Sequence, residues 1–198
     1  MSRWISGWSR WIAMVSVLAL TLSGAIARAE VEERGARFDR EVTLGDETLV
    51  LTGTGIARYR VIFVVYAAGL YLPPGTATPD VLAADTPRRL EIEYFYDISA
   101  EDIILAANTK LEEQLTADQL ASLESDVATF HGYFQSVSEG DRYRMEYQPG
   151  QGTQLIFNGE PAGTMPGAEF AEAYFGIWLD PDSPLSGSLR DNLLEGTR

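Results

Sequence analysis

The stretch that decides the fold is Tyr59-Arg60-Val61-Ile62-Phe63-Val64-Val65-Tyr66-Ala67-Ala68-Gly69-Leu70-Tyr71-Leu72. It is rich in β-branched and aromatic residues, which favour strands, and Pro73-Pro74-Gly75 ends it. A strand that is apolar on both faces has to be covered on both sides, at least in part. The stretch therefore predicts a central strand over residues 59–72.

Further strands are predicted on both sides of this segment, and short turns separate several of them. Hairpins are indicated at Gly45-Asp46 and at Asn158-Gly159, two dipeptides that favour tight turns. In the segment 88–96, Leu90, Ile92, Tyr94 and Tyr96 alternate and are expected on one face. The predicted strands are residues 42–52 (as a hairpin), 59–72, 88–96, 142–147, 153–157 and 162–165.

Helices are predicted between and after these strands. Thr78-Pro79 is expected to start a short helix, with Thr78 as N-cap. Ser99 can cap a longer helix, and Thr116-Ala117-Asp118-Gln119 forms a capping box for the next. The latter helix has its core stripe at Leu120, Leu123, Val127, Phe130 and Phe134. Residues 168–179 and 186–194 close the chain as helices. The order and the hairpin-length links predict an α+β domain, an antiparallel sheet with helices gathered on one face.

The first 29 residues are typical of a signal peptide. Arg3 and Arg10 precede an apolar run over residues 11–22, and Ala27-Arg28-Ala29 is a small-x-small cleavage site. The apolar run is shorter than the roughly 20 residues that a membrane-spanning helix needs. We therefore expect a removable signal over residues 1–29, a single domain over residues 30–198 and a periplasmic or secreted location. An uncleaved anchor is the alternative.

Charge and composition exclude several classes of partner. The formal net charge of −14 becomes −17 without residues 1–29, because three arginines and no acidic residue are removed. Such an excess argues against nucleic acid or an anionic membrane surface as partner, since both need clustered cations. The chain has no cysteine, which excludes disulfides and thiolate metal sites. No phosphate loop, catalytic triad or metal-ligand spacing is present, so no cofactor and no metal are predicted.

Asn108 is the first candidate site residue. Ile104, Asn108, Leu111 and Leu115 recur at helical spacing, so the amide points with an apolar stripe. An amide buried without partners would cost about 1–3 kcal/mol. Asn108 is therefore either a structural residue bonded to backbone or a polar group that lines a cavity between helix and sheet.

Two arginines at the start of the central strand are the next candidates. Alternation places Arg58, Arg60 and Tyr66 on one face, with Ile62 and Val64 between them. Such an arginine either lies along the rim of the core with its charge in solvent or places a cation at the mouth of a pocket. The sequence does not choose between Arg58 and Arg60. His131, the only histidine, is interpreted as a surface or boundary residue and not as a catalytic one.

The central strand and its flanks resemble the signature of chalcone isomerase-like proteins. In that family a glycine-containing turn and an arginine precede a strand that ends in Ala-x-Gly-x-Tyr-Leu. The corresponding residues here are Gly53-Thr54-Gly55-Ile56, then Arg58 and Arg60, then 63–72. The resemblance continues through Asn108 and Asn158-Gly159 to Gly176-Ile177-Trp178-Leu179 and the tail after Ser183-Pro184. The chain resembles the short exported bacterial branch of the family more than the plant enzymes.

The resemblance implies an open-faced β-sandwich with a hydrophobic cleft between helix and sheet. Plant enzymes of the family cyclise chalcones, and plastid relatives without that activity bind fatty acids. The family's arginine falls on Arg58 or Arg60, and its cleft asparagine falls on Asn108. The catalytic threonine of the plant strand falls on the bulkier Tyr66, and the catalytic tyrosine has no counterpart between Asp97 and Ala107.

The leading hypothesis is therefore an exported protein that binds a small hydrophobic, anionic, fatty-acid-like molecule in this cleft without cyclising chalcones. Its expected ligand-binding residues are Arg58, Arg60, Tyr66 and Asn108. We expect no stable membrane insertion after signal cleavage. The alternative is an isomerase, an intramolecular lyase acting on an enone, with Arg58 or Arg60 stabilising an oxyanion and Asn108 orienting the substrate. A scaffold for another envelope protein is the third possibility.

Overall fold

The structure is a computed structural model that describes residues 30–59 and 63–198. The predicted signal peptide, Arg60 and Ile62 lie outside the described residues. Within them the chain forms nine strands and four α-helices. The strands are β1 (Glu30–Glu33), β2 (Ala36–Asp39), β3 (Glu41–Leu44), β4 (Glu47–Tyr59), β5 (Phe63–Leu72), β6 (Arg88–Tyr94), β7 (Arg142–Gln148), β8 (Gly152–Phe157) and β9 (Glu160–Met165). The helices are α1 (Ala100–Gln114), α2 (Ala117–His131), α3 (Ala168–Leu179) and α4 (Gly187–Leu193).

Seven strands form one sheet in chain order, β3 to β9, and each is antiparallel to the next. The order follows from the turns, because short links place consecutive strands side by side. Asn158 and Gly159 both have positive φ, 48° and 89°, as a two-residue turn of the predicted kind requires. Helices α1 and α2 form the long connection between β6 and β7. The predicted α+β architecture with an antiparallel sheet is confirmed.

β5 lies inside the sheet and is covered on both faces, as its apolar sequence predicts. Ala68, Leu70 and Leu72 belong to the large core beneath the helices. Ala67 and Tyr71 belong to a second core on the opposite face. Each of these five side chains is fully buried. Alternate side chains of β5 therefore pack into two different cores.

The cover on the second face comes from a segment whose structure the sequence did not predict. No strand is predicted within residues 30–40, but β1 and β2 pair as an antiparallel hairpin. Phe38 of this hairpin is fully buried over Gly69, where a Cβ atom would lie 2.7 Å from the phenyl ring. The glycine of the Ala-x-Gly pattern thus leaves room for the hairpin to seal the outer face.

The predicted boundary between the glycine motif and the central strand was wrong. Gly53 and Gly55 do not form a turn but lie within β4, and Arg58 belongs to that strand as well. The central strand begins at Phe63 and not at residue 59. The two glycines have a packing role, because a Cβ on Gly53 would lie 1.9 Å from the carbonyl oxygen of Asn192 on α4. Helix α4 can rest on β4 only where side chains are missing.

The capping residues set the starts of α1 and α2 as predicted. Ser99 accepts a hydrogen bond from the backbone N–H of Asp102 at 3.1 Å. Thr116 and Gln119 form the capping box in both directions. Helix α3 spans the predicted residues, and most of its side chains are buried. It therefore forms the centre of the helical layer.

Two local predictions were wrong in detail. β6 ends at Tyr94, and Tyr96 does not share the buried face of the strand, since it is 55% exposed. The short helix at Thr78–Asp80 is a single 3₁₀ turn whose N-cap is Ala77, without a side-chain cap. Thr78 instead contacts the end of the chain, where its hydroxyl lies 2.6 Å from that of Thr197.

Candidate functional site

A row of aromatic rings crosses the helix-facing side of the sheet. Tyr66 on β5 stands directly opposite Tyr94 on β6, and their ring centroids are 5.6 Å apart. Tyr143 on β7 continues the row at 6.3 Å from Tyr94, and Phe157 on β8 lies 4.8 Å further. The pairing of the strands therefore places these rings side by side in one continuous aromatic surface across four strands. Together with the helices above it, this surface encloses the region that we call the helix–sheet layer.

Helix α3 closes this layer over β5. The indole Nε1 of Trp178 donates a hydrogen bond to the hydroxyl of Tyr66 at 2.8 Å. Tyr66 is 7% exposed, and burial raises its pKa well above the ordinary value despite the Trp178 hydrogen bond. The Tyr66 hydroxyl therefore stays protonated at neutral pH, and its proton has no acceptor among the described residues. It can donate a hydrogen bond but cannot act as a base.

A second set of rings from α2, α3 and the segment after α2 fills the layer behind this pair. Phe130 contacts Phe170 at 4.9 Å and Tyr174 at 4.7 Å between ring centroids. His131 is 8% exposed and packs against Tyr174 at 5.8 Å, so the interpretation as a surface or boundary residue was wrong. Its Nε2 has no hydrogen-bond partner among the residues that the structure describes, and burial lowers the pKa of the imidazole. His131 is thus a neutral member of the aromatic core.

The prediction that Arg58 shares a face with Tyr66 was wrong. Ala57 stands opposite Tyr66 and both belong to the core beneath the helices, whereas Ile56 packs against the core on the other face. Arg58 has the parity of Ile56 along β4 and therefore lies on the outer face, next to an irregularity in the β4–β5 pairing. The side chain is exposed and forms no ion pair with a described residue. The second candidate arginine, Arg60, lies outside the described residues. Arg58 is therefore a solvated cation near the β4–β5 hairpin end.

Asn108 is less deeply placed than the helical spacing predicts. It is half-buried on α1, next to the buried Ala107 and one turn before the buried Leu111. Helix α1 packs mainly against α3 and α2, where Gln114 Nε2 donates to the carbonyl oxygen of Ala173 at 2.5 Å. The Asn108 amide has no hydrogen-bond partner within the described residues. The amide is therefore free for a ligand, but its helix lies over α3 instead of directly on the strands.

At the other end of the same face, the sheet carries a buried arginine. Arg88 is fully buried on β6, and its guanidinium lies over the rings of Tyr147 (4.4 Å) and Phe175 (4.9 Å). Its Nη1 group donates to the carbonyl oxygens of Ala83 and Thr86, both at 3.0 Å. Burial lowers the pKa of Arg88 to about 10, so the group remains a cation at neutral pH. Arg88 is not among the site residues predicted from the sequence, although it has the same parity as Leu90 and Ile92 and thus belongs to their buried face.

The opposite face of the sheet carries a network of charges. Arg89, Glu91 and Glu93 on β6 stand directly opposite Glu146, Arg144 and Arg142 on β7. Ion pairs join Arg89 to Glu146 at 2.7 Å and Arg144 to Glu146 at 2.9 Å, and Arg142 pairs with Glu93. Burial raises the pKa of Glu91 in spite of its arginine neighbours. Opposite charges on facing positions fix the register of these two strands.

The family of the chain follows from its match to a sequence profile described as chalcone isomerase-like, which covers residues 30–195. The chain belongs to this family. The resemblance drawn from the β4 and β5 motif is confirmed. A search of curated proteins found no significant match to the chain.

The fold of this chalcone isomerase-like protein also occurs among solved structures. It is similar to the crystal structure of the Arabidopsis thaliana fatty-acid binding protein AtFAP1, with a TM-score of 0.67 at 13% sequence identity. The match covers 84% of this chain and 96% of that protein. At this identity the similarity establishes the fold, a curled antiparallel sheet with helices on one side.

Two open cavities lie outside the helix–sheet layer. One of about 390 Å³ is lined by Glu91, Arg142, Arg144, Asn158 and neighbouring residues at the β7–β8 end of the outer face. The other, of about 520 Å³, lies beside the 73–87 loop with Glu47, Asp80 and Asp85 in its wall. Within residues 30–59 and 63–198, no group of His, Asp or Glu side chains is arranged to hold a metal ion. No helix in this part of the chain is long and apolar enough to cross a membrane.

Proposed function

We propose that this chalcone isomerase-like protein binds a small hydrophobic, anionic molecule of the fatty-acid type in the helix–sheet layer. The observation that carries the proposal is the Tyr66–Trp178 pair, two amphipathic side chains that close an otherwise aromatic layer through one hydrogen bond. A pair of this kind can separate at a cost of about 0.5–1.5 kcal/mol. Separation of Tyr66 from Trp178 would expose the aromatic row to solvent. The similarity to a fatty-acid binding protein supports the same ligand class.

The candidate residues have separate roles in this proposal. Tyr66 forms the wall of the layer, and the half-buried Asn108 offers an amide without a partner to polar groups of the ligand. Arg58 places positive charge near the β4–β5 hairpin end of a chain whose net charge is −14, and Arg60 follows two residues later in the sequence. Local cations of this kind favour the approach of an anion that the overall charge would repel.

We further propose that the protein is exported and acts in the periplasm or outside the cell. The support is the positively charged start, the apolar run and the Ala27-x-Ala29 site in residues 1–29. Intact mass of the exported protein tests this part, because cleavage should leave Glu30 as the first residue. A species that retains residues 1–29 would contradict it.

Binding is tested by isothermal titration with dodecanoate below its micelle concentration. We expect one site per chain, with affinity reduced in Arg58→Ala and Asn108→Ala. Because long-range attraction is screened by salt, the Arg58 effect should shrink between low and high salt. Tyr96→Phe, a change at an exposed tyrosine, is the matched control and should bind as wild type does. Absence of binding by the wild-type protein would overturn the proposal.

A further inference from the structure

Arg88 has donor groups that the protein itself does not use. Its Nη1 group is occupied by the backbone carbonyls of the 81–87 segment, but Nε and Nη2 have no acceptor among the described residues. The side chain is fully buried and forms no ion pair in this part of the chain. A buried charge without an ion-pair partner is costly, and the carboxylate of Glu172 favours the charged form of Arg88 without pairing with it. The unused edge, Nε with Nη2, is the one that takes a carboxylate in bidentate fashion.

A second buried donor without a partner lies in the same row of the sheet. Tyr147 on β7 stands opposite both Arg88 on β6 and Thr153 on β8, so the three residues share the helix-facing side. Thr153 is fully buried, and its Oγ1 has no hydrogen-bond partner within residues 30–59 and 63–198. The Arg88 guanidinium lies over the ring of Tyr147, which brings it towards the Thr153 strand. Adjacent strands are about 4.8 Å apart, so both donors can reach one small group.

The surroundings of this row suit a charged group that is shielded from water. The Tyr147 ring lies below the guanidinium and Phe175 of α3 lies against it. The Tyr147 hydroxyl donates to the carbonyl oxygen of Ala84 at 2.6 Å, which holds the ring in place. An anion here would gain from the low local dielectric and from donors that are already in position.

We propose that Arg88 and Thr153 form an internal binding site for a single carboxylate, the head group of the ligand. Arg88 Nε and Nη2 donate to its two oxygens, and Thr153 Oγ1 donates a third hydrogen bond. This inference rests on the proposed function and adds the orientation of the ligand. Arg88 is six residues from Tyr94 along β6, about 20 Å in a strand, so the hydrocarbon chain extends beneath α3 towards Tyr66 and Trp178. The arginines near the hairpin attract the anion, and Arg88 holds it.

The test compares dodecanoate with 1-dodecanol, which has the same chain length without a charge, by isothermal titration. The key variant is Thr153→Val, which removes the hydroxyl with little change in shape. Without ligand it should unfold at the same or a higher denaturant concentration, because an unpaired buried hydroxyl is removed. We expect its affinity for dodecanoate to fall about tenfold while its affinity for dodecanol is unchanged. Thr164→Val, at an exposed threonine of β9, is the control and should have no effect.

Arg88→Lys gives a second measurement, since it keeps the charge but removes the bidentate edge. This variant should also lose the preference for dodecanoate over dodecanol. If Arg88→Lys does not fold, Thr153→Val decides alone. Binding of both ligands by the wild type with equal affinity, and no effect of Thr153→Val, would overturn this inference and leave the proposed function standing. Binding of neither ligand would overturn the proposed function itself. Competition by acetate at the same concentration as dodecanoate would show a site for small anions and would contradict a ligand head group.

Discussion

Trp178 on α3 and Tyr66 on β5 are joined by a hydrogen bond of 2.8 Å between the indole nitrogen and the phenol oxygen. The two residues are 112 positions apart in the chain, so the bond ties the helical layer directly to the central strand. It is a polar link at the aromatic end of the helix–sheet layer, where Tyr94 and Tyr143 continue the row. This one contact therefore stabilises the closed layer and has to break when the layer opens.

We expect the Tyr66–Trp178 bond to contribute about 0.5–1.5 kcal/mol to the free energy of unfolding. The measurement is a double-mutant cycle with Tyr66→Phe, Trp178→Phe and the double variant, followed by urea unfolding. The single changes should each destabilise the protein, and the double change should cost less than their sum, since each single variant leaves a buried polar group unpaired. Strict additivity would show that the two residues are not coupled.

Gly53→Ala should be strongly destabilising because α4 lies against this position. A Cβ atom there would lie 1.9 Å from the carbonyl oxygen of Asn192, and backbone of both elements would have to move. We expect a loss of about 1–3 kcal/mol or more in urea unfolding, as for other overpacked sites. Gly187→Ala at the start of α4 is the matched control, since a Cβ there meets nothing within 4 Å. An equal effect of the two changes would contradict the packing role of Gly53.

Protonation of His131 should destabilise the fold as the pH falls. Burial lowers the pKa of this imidazole, so the unfolded chain, with an ordinary value of 6.5, takes up the proton first. The contribution of His131 to the free energy of unfolding is therefore fully present above pH 6.5. It is lost as the pH falls towards the folded-state pKa, by up to about 1.4 kcal/mol per pH unit. Glu91 has the opposite effect on stability as the pH falls. Burial raises its pKa, so the folded state binds this proton at a higher pH than the unfolded chain does.

Comparison of wild type with His131→Phe between pH 8 and pH 5 isolates the histidine, because Glu91 is unchanged in both. Urea unfolding should show a smaller loss of stability on acidification in the variant. Parallel curves for the two proteins would contradict a neutral, buried imidazole.

The protein is not expected to cyclise chalcones at an enzymatic rate. The family's strand threonine is replaced by Tyr66, whose hydroxyl is held by Trp178, and the family's catalytic tyrosine has no counterpart in residues 97–107. Loss of one preorganised donor typically costs about 100- to 1,000-fold in rate. A spectrophotometric assay with hydroxylated chalcones checks this, with the Arg58→Ala, Arg60→Ala double variant as control. Turnover far above the buffer rate that disappears in the double variant would establish an enzyme.

The parts of the fold that were predicted from the sequence are those with local causes. Helix α3 is apolar except for Glu169 and Glu172, and the Asn158-Gly159 turn and the Thr116 capping box depend on neighbouring residues alone. Such signals act over a few positions and can be read directly from the chain. The antiparallel order followed from the short turns in the same way.

The missed features depend on contacts between distant parts of the chain. The β1–β2 hairpin has few apolar residues, and only the burial of Phe38 over Gly69 shows why it forms. The glycines of β4 resemble a turn motif until α4 is placed on them. Arg88 looks like a polar strand end, and its burial between Tyr147 and Phe175 requires the register of β7 and the position of α3. Tertiary packing decided each of these positions.

The most direct test of ligand binding in the helix–sheet layer is the indole N–H resonance of Trp178 during a titration with dodecanoate. Trp178 is the only tryptophan in residues 30–198, and Trp178→Phe assigns its signal against the three others of the full chain. We predict that this resonance shifts or broadens and that the change saturates at one ligand per chain, because the ligand reaches the layer through the Tyr66–Trp178 contact. A Trp178 resonance that stays unchanged while dodecanoate binds elsewhere, or does not bind, would contradict the account.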